Sequence, residues 1–136
     1  MSKRKEIQIP ATEAVFDQLG CVEGVRVGDV VQVSGQVGWD EKLQPADGIE
    51  AQARLAFQGL INVLQKAGAE PRHITHLQLF FVFPDGGPSL MEHAMTVFNV
   101  KKEMLPDCRP AATGVRVAEL VHPDLMLEVQ ATAVVD

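Results

Sequence analysis

A chain of 136 residues is long enough for one well-cored domain and too short for two ordinary ones, so residues 1–136 are read as a single unit. Hydrophobic residues make up 46% and charged residues 22%, a balance that excludes a disordered, collagen-like or solvating acidic chain. Twelve Lys and Arg against eighteen Asp and Glu leave a net charge of −6, which disfavours a phosphate-tracking surface; nucleic acid is not an expected partner.

The basic start Ser2-Lys3-Arg4-Lys5 is followed by Glu6-Ile7-Gln8-Ile9-Pro10, which supplies no unbroken apolar region of the kind a signal peptide needs. It reads as a frayed terminus, with a short strand near Glu6–Ile9. No run approaches the roughly 18 apolar residues of a membrane span, so a soluble protein with no membrane partner is expected. Cys21 and Cys108 lack C-x-x-C spacing and suit a reduced, cytoplasmic chain.

Period-2 alternation predicts strands over Cys21–Val27 and Val30–Gln36, with Gly28-Asp29 as a tight hairpin turn between them. From Asp47 to Ala67, the residues Ile49, Ala53, Ala56, Leu60, Val63 and Ala67 recur at steps of four and three and form one helical stripe. Asp47 and Glu50 have the spacing of an N-terminal cap pair, and Gly68 offers a left-handed exit. A strand over Ile74–Phe83 follows. A second helix opens at Pro88-Ser89, with Ser89 and Glu92 in capping-box spacing; Leu90, Ala94, Val97, Phe98 and Lys101 lie down one side, and Pro106 stops it. Strands over Thr113–Leu120 and Leu125–Val134, joined by a turn at Val121-His122-Pro123, complete the order β-β-β-α-β-α-β-β. The expected fold is α+β: a two-layer sandwich, a mixed six-stranded sheet with two helices on one face.

In the last two strands, Val115, Val117, Leu127, Val129, Ala131 and Ala133 form one apolar set expected to face the helices. Ala112, Gly114, Arg116, Met126, Glu128, Gln130 and Thr132 point the other way. In Ile74–Phe83 both faces become apolar, with Leu77, Leu79, Phe81 and Phe83 on one and Phe80 and Val82 on the other. A strand covered on one side only should not look like that. The chain has no third layer to offer, so another copy of itself is expected on the open face, in a closed ring with clefts between subunits.

Most candidate motifs fall away on spacing. His73-x-x-His76 on a strand would put its imidazoles on opposite faces, so no metal is expected. The passage Phe83-Pro-Asp-Gly-Gly-Pro-Ser89 lacks the lysine and hydroxyl of a P-loop and reads as a turn. Ser34 has no Gly two residues before it and no nearby His, so it is not a nucleophile elbow. Trp39 fits either a rim anchor between subunits or a cover for the core. Closing the last hairpin at Val121–Pro123 would set Arg116 opposite Glu128. That arrangement is either an anion-binding guanidinium beside a water-orienting carboxylate, or a cross-strand ion pair.

Four strings carry a resemblance over nearly the whole chain. They are Gly24-Val25-Arg26-Val27-Gly28-Asp29-Val30-Val31-Gln32-Val33-Ser34-Gly35-Gln36, Ala51-Gln52-Ala53-Arg54, Pro110-Ala111-Ala112-Thr113-Gly114-Val115 and Leu127-Glu128-Val129-Gln130-Ala131-Thr132-Ala133-Val134. In order and spacing they resemble the RidA/YjgF family. The resemblance implies a chorismate-mutase-like fold and a homotrimer with small-molecule clefts between subunits. It also implies hydrolytic deamination of enamine or imine intermediates, such as 2-aminoacrylate, to keto acids and ammonia without metal or organic cofactor. Carried over by position, Glu128 matches the water-positioning glutamate, and Ser34 and Gly35 the cleft-lining Ser-Gly pair. The substrate-gripping arginine is replaced by Ala112, the cleft tyrosine by Cys21, and the cysteine two residues after the arginine by Gly114. Thr113 and Gly35 are expected to present backbone amides to developing charge. Arg116, or less directly Arg109, is the candidate replacement anion anchor. The alternative is a metabolite-binding or regulatory trimer without chemistry.

Overall fold

The computed structural model describes residues 4–136. The frayed start read at Ser2-Lys3 lies outside the described residues, whereas Arg4 and Lys5 belong to the first strand. The elements are β1 (Arg4–Ile7), α1 (Glu13–Leu19), β2 (Gly24–Val27), β3 (Val30–Val37), α2 (Ile49–Lys66), β4 (Ile74–Phe81), α3 (Leu90–Met104), β5 (Ala111–Arg116) and β6 (Leu127–Val134). A single 3-10 turn, Pro71–His73, precedes β4. The architecture is α+β, with one mixed six-stranded sheet in the order β1-β2-β3-β6-β4-β5 and three helices. The additional helix, α1, has seven residues and buries none of them, so it carries no apolar stripe for periodicity to detect.

The β2–β3 hairpin turns at Gly28, whose φ of 58° is the left-handed conformation such a turn asks for. Helix α2 buries Ala53, Ala56, Phe57, Leu60, Val63 and Leu64 against the sheet, and each large side chain contributes roughly 1.5–3 kcal/mol. Its N-cap is Gly48, without a side-chain bond, so the expected Asp47–Glu50 cap pair does not form. Gly68 does take the left-handed exit, at φ 80°. Helix α3 starts on a complete capping box between Ser89 and Glu92. Its buried line is His93, Val97, Val100 and Lys101, one position round from the expected side, which leaves Leu90 exposed. No helix among the described residues is long and apolar enough to cross a membrane.

The largest departure from expectation lies at the end of the chain. Strands β5 and β6 do not form a hairpin. Strand β4 lies between them, parallel to β5 and antiparallel to β6, and residues 117–126 cross over instead of turning. The mixed stretch Ala118–Asp124 leaves no alternating pattern near the supposed turn, and ten connecting residues allow the chain to pass one strand over.

This topology inverts the expected parity of β5. Ala112, Gly114 and Arg116 align with Leu77, Leu79 and Phe81, the side that faces the helices, and Thr113 and Val115 align with Gln78 and Phe80 on the open side. For β6 the expected parity holds, with Leu127, Val129, Ala131 and Ala133 buried. Phe80 and Glu128 are register partners on the open side, so Arg116 is not opposite Glu128.

Candidate functional site

The irregularity that builds the site is in β3. Val33 stands opposite Ala131 and Gln36 opposite Val129, so Ser34 and Gly35 together face Gln130 alone, forming a β-bulge. The bulge is tied to the segment leading into β2. The Ser34 N–H donates to the Glu23 carbonyl at 2.8 Å, and its hydroxyl donates to the Val22 carbonyl at 2.7 Å. Exposed Cys21 is the next residue back, with its thiol 3.6 Å from the Leu19 carbonyl. Gly35 lies under the side chain of Glu128. A Cβ added there would sit 2.3 Å from Oε2, so only glycine lets that carboxylate rest against β3. Glu128 is half-buried, and burial pushes its carboxyl above the ordinary value, with no charge or donor among the described residues to offset it. A desolvated carboxylate on an uncovered sheet face is suited to accept a proton from water.

The other candidates form a separate group. All six residues of β5, the strand at the edge of the sheet, are exposed. The Arg116 guanidinium does not swing back past Gly114, where a Cβ would already meet Phe81 Cε2 at 3.3 Å. It donates to the Phe83 carbonyl at 2.7 Å and to Asp85 at 2.8 Å, and lies 4.4 Å from the centroid of the Phe83 ring, which also stacks on His93. The expected placement of Arg116 opposite Glu128 across a hairpin, and with it the ion pair within one chain, is therefore corrected. Its partner is Asp85, from the glycine-rich turn between β4 and α3. Arg109 is exposed ahead of β5.

The structure thus gathers Glu128, Gly35, Ser34 and the Cys21 segment in one place, and Ala112, Thr113, Gly114 and Arg116 in another. With β4 between β5 and β6, the two groups are about 10 Å apart, two strand spacings, within one chain. The pair His73 and His76 is not carried on one strand. His73 ends the 3-10 turn, where its Nδ1 accepts from the Glu70 N–H at 2.9 Å and its Nε2 meets Asp136 at 2.9 Å.

Two features escaped the sequence reading. Glu23, only 2% exposed, receives hydrogen bonds from the Thr12 hydroxyl and, at 2.8 Å, from the Gln36 amide. These three residues and half-buried Trp39 line a cleft of about 530 Å³ between α2, the 38–47 loop and the chain before α1. The sole sequence signal is a carboxylate inside the run Cys21–Val27 read as a strand. Gln52 is the second feature. It is fully buried, donates to the carbonyls of Ala46 at 3.0 Å and Asp124 at 2.9 Å, and accepts from the Met126 N–H at 2.7 Å. It pins the 38–47 loop and the crossover to the start of α2 beside a second cleft of about 580 Å³. Neither cleft is lined by Glu128, Ser34 or Gly35.

Comparison with known proteins agrees with this geometry. The family profile described as Endoribonuclease L-PSP matches residues 13–135. Among solved structures, Rv2704 from Mycobacterium tuberculosis, described as a member of the YjgF/YER057c/UK114 family, superposes with a TM-score of 0.80 at 24% identity, covering 97% of this chain and 99% of that one. Protein YJGH gives a TM-score of 0.81 at 25% identity, covering 98% and 97%. E. coli TdcF, solved with bound serine, gives 0.73 at 24% identity, covering 85% and 87%. Comparison with curated proteins returned no significant match. A profile that spans all but the first twelve residues and the last settles the membership: the chain belongs to the RidA/YjgF family.

Proposed function

We propose that this protein is a cytoplasmic RidA-like homotrimer. Its inter-subunit clefts bind a small carbonyl- or imine-bearing metabolite, and Glu128 orients water for hydrolysis of the C=N bond, without metal or organic cofactor. The observation that carries this reading is Glu128 itself, a carboxylate desolvated by burial and seated over the Gly35 bulge on the sheet's open face. In the proposed step, water adds to the iminium carbon while Glu128 takes one of its protons. Glu128 then returns that proton to the carbinolamine nitrogen, the C–N bond breaks with loss of ammonia, and the hydroxyl proton passes to the freed carboxylate and on to solvent as the C=O bond forms. Amide groups at Gly35 and along the edge strand around Thr113 are suited to hold developing negative charge.

The separation of the two residue groups supports completion of the cleft by a second copy, because β4 keeps them apart in one chain. The mixed open face supports it too, with half-buried Phe80 and exposed Val27, Val30, Val115 and Val134 among glutamines and threonines. The absence of a guanidinium at Ala112, with Arg116 engaged by Asp85, favours substrates that do not depend on a carboxylate grip. The same observation favours a second reading, a trimer that binds such metabolites without turning them over. A net charge of −6, a single Trp and no Tyr weigh against RNA as the substrate. Release of the keto product from freshly generated 2-aminoacrylate and from a carboxylate-free imine, each with Glu128→Gln as control, separates the readings. A clear excess for the wild type on either supports hydrolysis, and no excess over the control on both removes it in favour of binding alone.

A further inference from the structure

We infer that the cleft between α2 and the 38–47 loop is a second binding site, for a small organic ammonium ion held by the Glu23 carboxylate and the ring of Trp39. A buried carboxylate is costly unless a cation meets it. Here the two oxygens of Glu23 are held by neutral donors, Thr12 and Gln36, and no Lys, Arg or His among the described residues forms an ion pair with it. A carboxylate has about four acceptor positions, and only two are filled by Thr12 and Gln36.

All three of these residues line the cleft. Trp39, also in the wall, is the side chain best suited to meet a cation, and Ile9, Val37 and Leu55 offer surface to a hydrocarbon body. At about 530 Å³ the cleft has the size of a small-molecule site. Exposed Lys42 at its rim stands beside exposed Asp40 and Glu41, so the rim does not reverse the negative sign set by Glu23. An anion would face that charge directly, which fixes the ligand class as cationic. The cleft lies on the helix side of β3, where Gln36 packs against Gly59 of α2, whereas Glu128 sits on the opposite side. The inference is therefore independent of the chemistry proposed for Glu128.

Trp39 is the only tryptophan, so its fluorescence reports this cleft without interference. The test titrates the full-length protein with cyclohexylmethylamine and, in parallel, with its neutral counterpart cyclohexylmethanol. The expected result is a saturable change with the amine and binding weaker by at least about tenfold for the alcohol, the difference a charge-assisted hydrogen bond makes. Glu23→Gln should weaken the amine by about the same factor. Since Glu23 is buried, circular dichroism checks that this variant folds; if it does not, Asn62→Lys, an exposed change on the α2 wall of the cleft, decides by placing a competing ammonium there. Weaker amine binding by the deciding variant supports the site. The inference is overturned if the amine gives no saturable response, if amine and alcohol bind alike, or if the deciding variant binds the amine as the wild type does.

Discussion

Strands β6 and β5 both carry candidate residues and differ in how the fold treats them. Strand β6 is central, flanked by β3 and β4, and alternates strictly between buried Leu127, Val129, Ala131 and Ala133 and an outward set that includes Glu128. Its register is fixed from both sides, so the placement of Glu128 over Gly35 follows from packing that the whole core enforces. Strand β5 is an edge strand with every residue exposed, paired on one side only. The contrast divides the candidate residues between a central strand whose register is fixed on both sides and an edge strand that packs on one side only.

The largest expected effect falls on the central strand. Glu128→Gln should lower any hydrolytic turnover by about 10²–10⁴-fold, read as keto-acid release. Because burial raises the folded-state pKa of Glu128 above its unfolded value, the folded protein holds that proton more tightly. The residue's stability contribution is therefore present below the unfolded pKa and lost as pH rises through the folded one. Glu128→Gln should accordingly unfold at a higher denaturant concentration than the wild type at pH 7, and the acid limb of a wild-type pH–rate profile should lie above the ordinary carboxylate range. A carboxylate merely paired in a salt bridge would show the opposite sign in both measurements.

Next in size, Phe81→Ala in the core beneath the sheet should cost about 3–5 kcal/mol in chemical denaturation. Val115→Ala, at the same end of the sheet but on the edge strand and 38% exposed, should cost within about 0.5 kcal/mol at concentrations where the chain is monomeric. A larger loss for Val115→Ala that appears only at high concentration would sharpen the comparison, since it would mark β5 as covered by a second copy.

Smaller again is Arg116→Ala. Its partly exposed pair with Asp85 is worth about 0–1 kcal/mol. Ligand affinity should not change, and a loss of tenfold or more would show that Arg116 leaves Asp85 to grip the ligand after all. The smallest effect expected is at the chain end. Arg72 and then His73 hold the Asp136 carboxyl below its usual value. Whatever this latch adds to stability is present above the unfolded pKa and fades as pH falls through the lower, folded one; Asp136→Asn should flatten that part of the stability profile.

What was legible in the sequence follows the same division. Strands and helices whose apolar residues face one continuous core could be read from periodicity, as in α2 and β6. The capping box at Ser89 and the turn at Gly28 could be read from local chemistry. The pairing of β5 could not, because edge residues are exposed on both faces and their alternation carries no information about which neighbour they meet. Assuming a hairpin placed Arg116 beside Glu128, and the parallel pairing with β4 moves it to the other side of the sheet. Resemblance nominated Ser34, Gly35 and Glu128, but that they adjoin depends on a bulge that no period reveals. Glu23 and Gln52 were missed for the same reason, since each is buried by contacts between segments distant in sequence.

The central claim is that the ligand site is shared, one chain supplying Glu128 and Gly35 and another supplying β5. Sedimentation equilibrium of the wild-type protein at micromolar concentration tests it most directly. The account predicts a single species with three times the 14.8 kDa mass of one chain. A species that stays at one chain mass across that range would contradict it.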